Sequence, residues 1–359
     1  MEKANRIARL QDYMKDRDIQ ALLIEDAKNR QYLTYADIWE GSMVVTCEKA
    51  FLCVDFRYYE MAKRYCRDCE IVLCKDIDEC LKRLFEDEKI KRLGIERGKL
   101  VLNRFIQIRQ MLGRGTIEEN ICADQIVKEF RKVKDEYELT CIRKAQELTD
   151  AAYAHILTKV HAGMMESEIR IALGSFLIRH GSEDFNIGYI SSSGSKTSMP
   201  HGGIGDKMIE DGDLLMIDFG ARSGGYTSDC TRTFGIGHVT EEQKEVYALV
   251  RDAQTRAIEG IRPGIEGRAV DQIARTFIYE HGYQGCFEHG LGHSVGLEGH
   301  ENPRFNQICE EKMRPGIVMT VEPGIYLENR FGIRIENMGV VTETGFEDFT
   351  HCTRDLVIV

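Results

Sequence analysis

Proline is scarce in this 359-residue chain, and its placement is uneven. There are 5 prolines, and the first of them is Pro200, so the N-terminal half contains none. Such a change in composition is consistent with a domain boundary, and the length is sufficient for two domains. We therefore expect a small α/β domain over residues 1–125 and a second domain over residues 126–359.

Long apolar runs and blocks of basic residues are also missing. The 59 acidic residues outnumber the 48 basic ones, giving a formal net charge of −11. This balance argues against nucleic acid or an anionic membrane as a partner. No apolar run approaches the roughly 18 residues that a membrane helix needs. The N-terminus has no apolar core like that of a secretory signal, so we expect a cytoplasmic protein.

The chain has little that resembles a disulfide framework or a zinc site. Its 12 cysteines are scattered, and Cys66-x-x-Cys69 is the only close pair. A zinc site would need a second such pair or histidines at a matching distance. We expect reduced, mostly buried thiols, as in cytosolic proteins.

Hydrophobic periodicity predicts an α+β fold. The first half combines strands with helices, whereas the second half twice repeats two helices followed by strands. The charged segment 123–138 is the expected connection, and it runs into an amphipathic helix that begins near Asp135. Predicted strands lie at 21–24, 43–46, 50–55, 70–74 and 93–96, and predicted helices at 5–16, from 57, from 135, and at 166–180, 241–261 and 267–281.

Two aspartates interrupt a predicted β-hairpin in the second half. Asp218 follows the apolar run 214–217, and Asp229 lies in the strand-like run after a glycine-containing turn. A hairpin centred between Ser223 and Gly224 would place the two carboxylates directly opposite each other. Buried like charges repel, and each unpaired carboxylate would cost several kcal/mol. This arrangement predicts a cation between them.

A second pair of acids follows the same pattern. Glu322 and Glu336 each end an apolar strand, and a hairpin centred on Asn329 would place them opposite each other. The alternative is that all four acids lie on the solvent-exposed faces of two antiparallel sheets.

Three histidines separated by glycines lie between the two hairpins. His293 is predicted to be a metal ligand, and His289 is predicted to be structural. Four carboxylates and one imidazole favour manganese, cobalt, iron or zinc over thiolate-bound metals. Four negative charges balance two divalent cations, and a pair of metals that share a water is suited to hydrolysis.

Five motifs in the second half resemble, in order, the metal site of the pita-bread metallopeptidases: MIDFG, TSDCTRTF, GLGHSVGLEGHE, TVEPGIY and RIEN. Segments 29–34 and 54–58 are similar to the N-terminal domain of prolidase, aminopeptidase P and creatinase. The resemblance implies a creatinase-like N-terminal domain and a pita-bread catalytic domain, in which helices surround a curved antiparallel sheet. It points to the proline-specific branch, although Asn337 stands where many members have aspartate.

The resemblance also implies roles for individual residues. Asp229 and Glu336 would bridge two metals, Asp218 would complete one of them, and His293 with Glu322 would complete the other. His201 and His300 would act in catalysis together with Glu322, and hydrogen bonds from the two histidines could stabilise a tetrahedral intermediate. The alternative for these two is a pair of solvated loop histidines.

Substrate preference is predicted to depend on Arg304, which stands where prolidase-like members bind the terminal carboxylate of the substrate. Its guanidinium could bind that carboxylate bidentately, although an ordinary surface arginine is the alternative. Tyr326 and Arg334 match substrate-binding positions beside the site.

The expected activity is hydrolysis of Xaa-Pro bonds with two divalent ions, manganese or cobalt first and zinc or iron as alternatives. A prolidase-like dipeptidase acting on short proline peptides is favoured, and aminopeptidase P on longer peptides is the nearest alternative. A non-catalytic pita-bread binding protein and a metal-free amidinohydrolase like creatinase are remote ones. The resemblance further implies a homodimer in which the loop around Trp39 approaches the partner's site.

Overall fold

The computed structural model describes residues 4–184, 190–203 and 205–359. The chain divides into two compact units, Met1–Arg131 and Lys132–Val359. Most of the segment expected to connect them is a helix, Ala123–Lys132, so the predicted boundary at residue 125 lies within regular structure. Among the described residues, no helix combines the length and the hydropathy that crossing a bilayer requires.

The first unit is built on one mixed sheet. The elements are α1 (Arg6–Lys15), β1 (Ala21–Ile24), α2 (Ala27–Thr34), β2 (Ser42–Thr46), β3 (Ala50–Val54), α3 (Phe56–Tyr65), β4 (Glu70–Leu73), α4 (Ile77–Asp87), β5 (Arg92–Ile95), α5 (Leu102–Leu112), β6 (Thr116–Cys122) and α6 (Ala123–Lys132). The strand order in the sheet is β4-β3-β2-β1-β5-β6, with β1–β2 and β2–β3 antiparallel and the remaining pairs parallel. The five predicted strands are confirmed as β1–β5 to within one residue at each end.

Helix α2 was not predicted, because it buries polar side chains instead of an apolar stripe. The Asp26 side chain caps the first turn of α2 by accepting from the backbone N–H of Asn29 at 3.0 Å. The Asn29 side chain donates to Glu96 at 2.6 Å, and buried Arg30 donates to the carbonyl of Trp39 at 3.0 Å. These contacts satisfy groups that burial would otherwise destabilise.

The second unit consists of two helix pairs, each followed by antiparallel strands, as predicted. The elements are α7 (Glu136–Leu157), α8 (Glu166–Arg179), β7 (Ile190–Ser193), a 3₁₀ turn (Gly194–Ser198), β8 (Leu214–Phe219), β9 (Arg222–Ser223), β10 (Tyr226–Thr227), β11 (Cys230–Gly235), α9 (Glu241–Gly260), α10 (Gly267–Glu280), β12 (Gly292–Ser294), β13 (Glu301–Phe305), β14 (Val318–Val321), β15 (Gly324–Leu327), β16 (Phe331–Arg334), β17 (Asn337–Val341) and β18 (Phe346–Asp348). A three-stranded sheet has the order β11-β8-β7, a five-stranded sheet has the order β13-β12-β14-β17-β18, and β9–β10 and β15–β16 form separate pairs.

Packing of the helix pairs determines which way the strand side chains face. Leu215, Ile217 and Phe219 of β8 belong to a core that also contains Ile169 and Leu173 of α8. Because side chains alternate along a strand, the Asp218 carboxylate extends from the opposite face.

Strand β14 repeats this arrangement. Met319 and Val321 enter a core shared with Val250 of α9 and Ala274 of α10. Thr320 lies between them on the other face of the strand.

Candidate metal centre

The first acidic hairpin forms, but its predicted register was wrong by two residues. Asp218 lies opposite Thr231 across β8 and β11, whereas Asp229 was predicted there. The cause is the turn, which is centred on Gly224 and Gly225 between paired Ser223 and Tyr226. Both glycines have positive φ, of 58° and 83°. Two-residue hairpins of this type require positive φ at both positions, and glycine adopts it without a steric penalty.

The second acidic hairpin has the predicted register. Gly324 pairs with Arg334 in β15–β16, and Val321 pairs with Asn337 in β14–β17. Both pairs are symmetric about Asn329, whose φ is 59°. Glu322 and Glu336 lie at equivalent positions in the gap between these ladders, so they face each other as predicted.

His293 lies on β12, and its tautomer is fixed by a local hydrogen bond. Its Nδ1 lies 3.1 Å from the carbonyl of Ser294, where it donates, so Nε2 carries the lone pair. Nε2 lies 3.3 Å from Glu322 Oε1 and 3.8 Å from Asp229 Oδ2. The backbone N–H of His293 donates to Thr320 Oγ1 at 3.0 Å, which links β12 to β14.

Asp229, His293 and Glu336 form a compact cluster in which the potential ligand atoms all lie within 4.8 Å of one another. Glu322 joins this cluster through its contact with His293. Asp218 lies in the same cavity, but Arg334 donates to its Oδ2 at 2.7 Å. The structure thus brings all five predicted ligands to one cavity, with three of them in the tightest group.

Burial and mutual repulsion disfavour negative charge in this cluster. Burial, followed by the neighbouring carboxylates, holds the pKa of Asp229 and of Glu336 well above their usual range. Burial also raises the pKa of Glu322 to about 8. For His293, burial lowers the pKa, so its imidazole is a neutral potential ligand.

These residues fit a divalent cation. Thr231 donates to Glu336 Oε2 at 2.8 Å, while Glu336 Oε1 is buried and has no hydrogen-bond partner among the described residues. A buried carboxylate oxygen without a partner is destabilising, and a cation would remove that penalty. Carboxylate oxygens with a neutral imidazole are ligands typical of manganese, cobalt, iron and zinc.

Arg334 organises one wall of the cavity. Besides contacting Asp218, its guanidinium donates to the Tyr326 hydroxyl at 2.8 Å and to the carbonyl of Pro200 at 3.1 Å. The Tyr326 hydroxyl also lies 3.0 Å from Nε2 of His289. Arg334 and His289 line the cavity, whereas Tyr326 contacts it through them. His289 was predicted to be structural, and its ring contacts the Gly290 carbonyl and the Tyr326 hydroxyl, although its place in the cavity lining was not predicted.

The cavity has a volume of about 530 Å³, within the usual range for small-molecule sites. His201, His300 and Arg304 all line it together with the acidic cluster. Arg304 lies directly opposite His293 across β12 and β13. Partial desolvation within the cavity, followed by the neighbouring His293 and Arg304, lowers the pKa of His300 to about 4, so its ring is neutral near pH 7 although the residue is exposed by surface area.

Comparison with known proteins identifies the family. Residues 140–343 match metallopeptidase family M24, and residues 6–133 match the creatinase/prolidase N-terminal domain. The first match alone spans more than half of the chain. The chain belongs to metallopeptidase family M24. The predicted resemblance, the α+β fold with a pita-bread catalytic domain, and the metallopeptidase class are therefore confirmed.

Similar proteins cover nearly the whole chain. A Xaa-Pro dipeptidase of Pyrococcus horikoshii is 36% identical, with 98% of each chain covered. The solved structure of a Xaa-Pro dipeptidase from Bacillus anthracis has a TM-score of 0.94 at 32% identity, covering 99% of both chains. An X-Pro aminopeptidase from Thermotoga maritima has a TM-score of 0.91 at 35% identity, covering 99% of this chain and 100% of that one.

Proposed function

We propose that this M24 metallopeptidase hydrolyses Xaa-Pro dipeptides. Relatives named Xaa-Pro dipeptidase support the substrate class. The observation that carries the proposal is the position of Arg304, which shares one cavity with the acidic cluster. A second candidate is aminopeptidase P activity on longer peptides, because a similar solved structure is an X-Pro aminopeptidase.

Two divalent cations are proposed as cofactors, manganese or cobalt first, with zinc or iron as alternatives. Asp218, Asp229, His293, Glu322 and Glu336 would hold them, since four carboxylates balance two such ions. When bound, the cations supply Lewis-acid chemistry that activates water and polarises a carbonyl.

The remaining catalytic work is assigned to side chains around the cluster. His201 and His300 face the cavity, where an imidazole N–H can donate to the oxygen that becomes negative in the transition state. Glu322 is assigned proton transfer, as the family resemblance implies, because its carboxylate lies in the cavity beside the other candidate ligands and can accept and return a proton there.

Arg304 is proposed to bind the free carboxylate of the dipeptide. The residue is exposed and, within the described chain, makes no hydrogen bond or ion pair through its side chain. Its guanidinium fork can therefore engage a carboxylate bidentately. Arg334 and Tyr326 are proposed to support substrate binding indirectly, because the Arg334 guanidinium is engaged by Asp218 and by Tyr326.

Paired substrates test this function. Protein loaded with Mn²⁺ or Co²⁺ should cleave Ala-Pro faster than Ala-Pro-Ala, and Asp229→Ala should lose both bound metal and activity. A strong preference for Ala-Pro-Ala would support the aminopeptidase. Full activity of metal-free Asp229→Ala would refute metal-dependent hydrolysis, and absence of any bindable metal would favour a non-catalytic binding protein.

A homodimer is also proposed, with the loop around Trp39 at the contact between subunits. The Trp39 side chain is 72% exposed, while Arg30 donates to the carbonyls of Ile38 and Trp39 and so fixes the loop backbone. Sedimentation at micromolar concentration should show a dimer that Trp39→Ser weakens. A monomeric wild-type protein would contradict this.

A cytoplasmic location is proposed as well, supported by 12 cysteines that are all free thiols. Cell fractionation tests it. Recovery of the protein outside the cytoplasmic fraction would contradict it.

A further inference from the structure

Lys134 is a buried cation close to the metal centre. Its side chain is only 1% exposed. The ammonium donates to Ser294 Oγ at 3.0 Å, to Glu301 Oε2 at 3.2 Å and to the carbonyl of Lys132 at 3.4 Å. An ammonium has three N–H donors, so these three acceptors account for all of them.

Ser294 and Glu301 are the two residues that close a loop. They pair across β12 and β13, and residues 295–300 form the loop between them. Each also adjoins a histidine of the cavity, since His293 precedes Ser294 and His300 precedes Glu301. Lys134 therefore holds together the base of the loop that separates these two histidines.

The Glu301 carboxylate organises the interior of the same loop. Its Oε1 accepts from the Glu298 N–H at 3.2 Å. A Cβ added to Gly296 would lie 2.7 Å from Oε1, so the carboxylate packs directly against the glycine. The Gly296 carbonyl in turn accepts from the Thr227 N–H at 2.8 Å.

The loop places His300 against His293. Their ring centroids are 4.1 Å apart, with an interplanar angle of 39°. His293 is held separately by β12, but His300 is exposed and depends on the loop for its position.

We propose that Lys134 and Glu301 are positioning residues, whose buried ion pair keeps His300 in its place beside His293 in the cavity. The pair is almost fully buried, with side chains 1% and 7% exposed. Removing one member of such a pair leaves an uncompensated charge, so the loop must rearrange to hydrate it. The kinetic consequence rests on the proposed function, whereas the effect on the loop does not.

Lys132 provides a matched control on the same segment. Its ammonium binds Glu311 at 2.8 Å, and that pair is more exposed, at 11% and 30%. Glu311 lies outside the loop and does not line the cavity. Lys132→Met therefore removes a similar ion pair without touching the 295–300 loop.

The experiment compares wild type, Lys134→Met, Lys132→Met and the double variant Lys134→Met/Glu301→Gln, all loaded with Mn²⁺. Hydrogen exchange of the peptide covering residues 295–301 reports on the loop without any substrate. Exchange there should rise at least about tenfold in Lys134→Met and in the double variant, because Lys134→Met leaves the Glu301 charge uncompensated and the double variant removes the contact that holds the base of the loop. Exchange in helix α9 should stay unchanged in every variant. Exchange of the loop should also stay unchanged in Lys132→Met.

Kinetics on Ala-Pro provide the second readout. Lys134→Met should lower kcat about 10²-fold with metal stoichiometry retained, because an ångström of misplacement has a cost of this order. In a His300→Ala background the same substitution should have no further effect on kcat, since residues acting together are not additive.

The proposal would be overturned if the folded double variant showed a wild-type kcat and a loop as protected from hydrogen exchange as in wild type. So would additive losses in the His300→Ala background, which would indicate a general structural defect. If wild type cleaves no Xaa-Pro peptide, the proposed function fails, and loop exchange alone still decides whether the ion pair positions the loop.

Discussion

Arg304 lies directly opposite His293 on adjacent strands of one sheet. Residues that face each other in this way have Cβ atoms about 4.5–5.5 Å apart. The residue proposed to bind the substrate carboxylate is thus one strand away from a candidate metal ligand. A dipeptide can reach Arg304 and the His293 metal site at once, so the pairing of these two residues favours a dipeptidase.

Arg304→Met should raise KM for Ala-Pro far more than it lowers kcat. Loss of a charge-assisted, bidentate contact of about 2–3 kcal/mol corresponds to a loss in kcat/KM of roughly 30- to 150-fold. Arg304→Lys keeps the positive charge but not the bidentate guanidinium, so its kcat/KM should lie between those of wild type and Arg304→Met. Steady-state kinetics would measure this, with Ala-prolinamide as the control substrate that lacks the carboxylate. Equal losses on both substrates would rule out carboxylate binding.

Thr231→Val should weaken metal binding while preserving side-chain shape. The Thr231 hydroxyl donates to Glu336 Oε2 at 2.8 Å and accepts from Arg334 Nε at 3.1 Å. Loss of a contact that orients a metal ligand typically reduces affinity by roughly 10- to 100-fold. Titration calorimetry with Mn²⁺ would measure the change.

Thr233→Val is the matched control for that experiment. It lies on the same strand, but within the described part of the chain its hydroxyl bonds only the backbone of Arg334, donating to the carbonyl at 2.9 Å and accepting from the N–H at 3.2 Å. Its Mn²⁺ affinity should stay close to wild type. An equal loss of affinity in both variants would contradict a specific role for Thr231.

Metal-stripped protein should lose stability as the pH rises from about 5 to 8. Burial raises the pKa of Glu322 from 4.5 to about 8 in the folded chain. Between these values the unfolded chain releases the proton that the folded chain retains, so unfolding becomes more favourable as pH increases. The melting temperature in EDTA should therefore fall across this range, and less steeply in Glu322→Gln. Identical slopes in both proteins would show that Glu322 does not contribute.

Asn337→Asp should destabilise the fold by about 1–3 kcal/mol, the cost of a buried polar group without its partner. The Asn337 amide accepts from Arg232 at 2.9 Å and donates to Asp348 at 2.6 Å. An aspartate could accept but not donate, and it would place two carboxylates together. Denaturant unfolding would measure the loss, and adding Asp348→Asn should recover most of it. Failure of that second substitution to help would argue against the hydrogen-bond explanation.

The two acidic hairpins show what the sequence could and could not predict. The register predicted for the hairpin around Asn329 was correct, because both of its strand ladders are centred on that residue. The register predicted for the first hairpin was wrong, because the sequence alone allows the turn to form at either Ser223–Gly224 or Gly224–Gly225. Positive φ at both glycines decided the matter, and that depends on the folded backbone.

Burial of polar side chains accounts for one further difference. Helix α2 carries Asn29 and Arg30 into the interior of its unit, so hydrophobic periodicity could not reveal it. The contact of His289 with Tyr326 was not predicted either, because Tyr326 lies 37 positions further along the chain. Spacing and composition identify ligand types, but side-chain networks between distant segments require coordinates.

Gly296 and Gly299 lie three positions apart, yet the loop treats them very differently. A methyl group at 296 would displace the Glu301 carboxylate that binds Lys134, whereas a Cβ at 299 would meet no described atom within 4 Å. In a library of random substitutions, position 296 should therefore tolerate fewer residues than position 299. The packing of a single carboxylate would then determine which of the two glycines is more constrained.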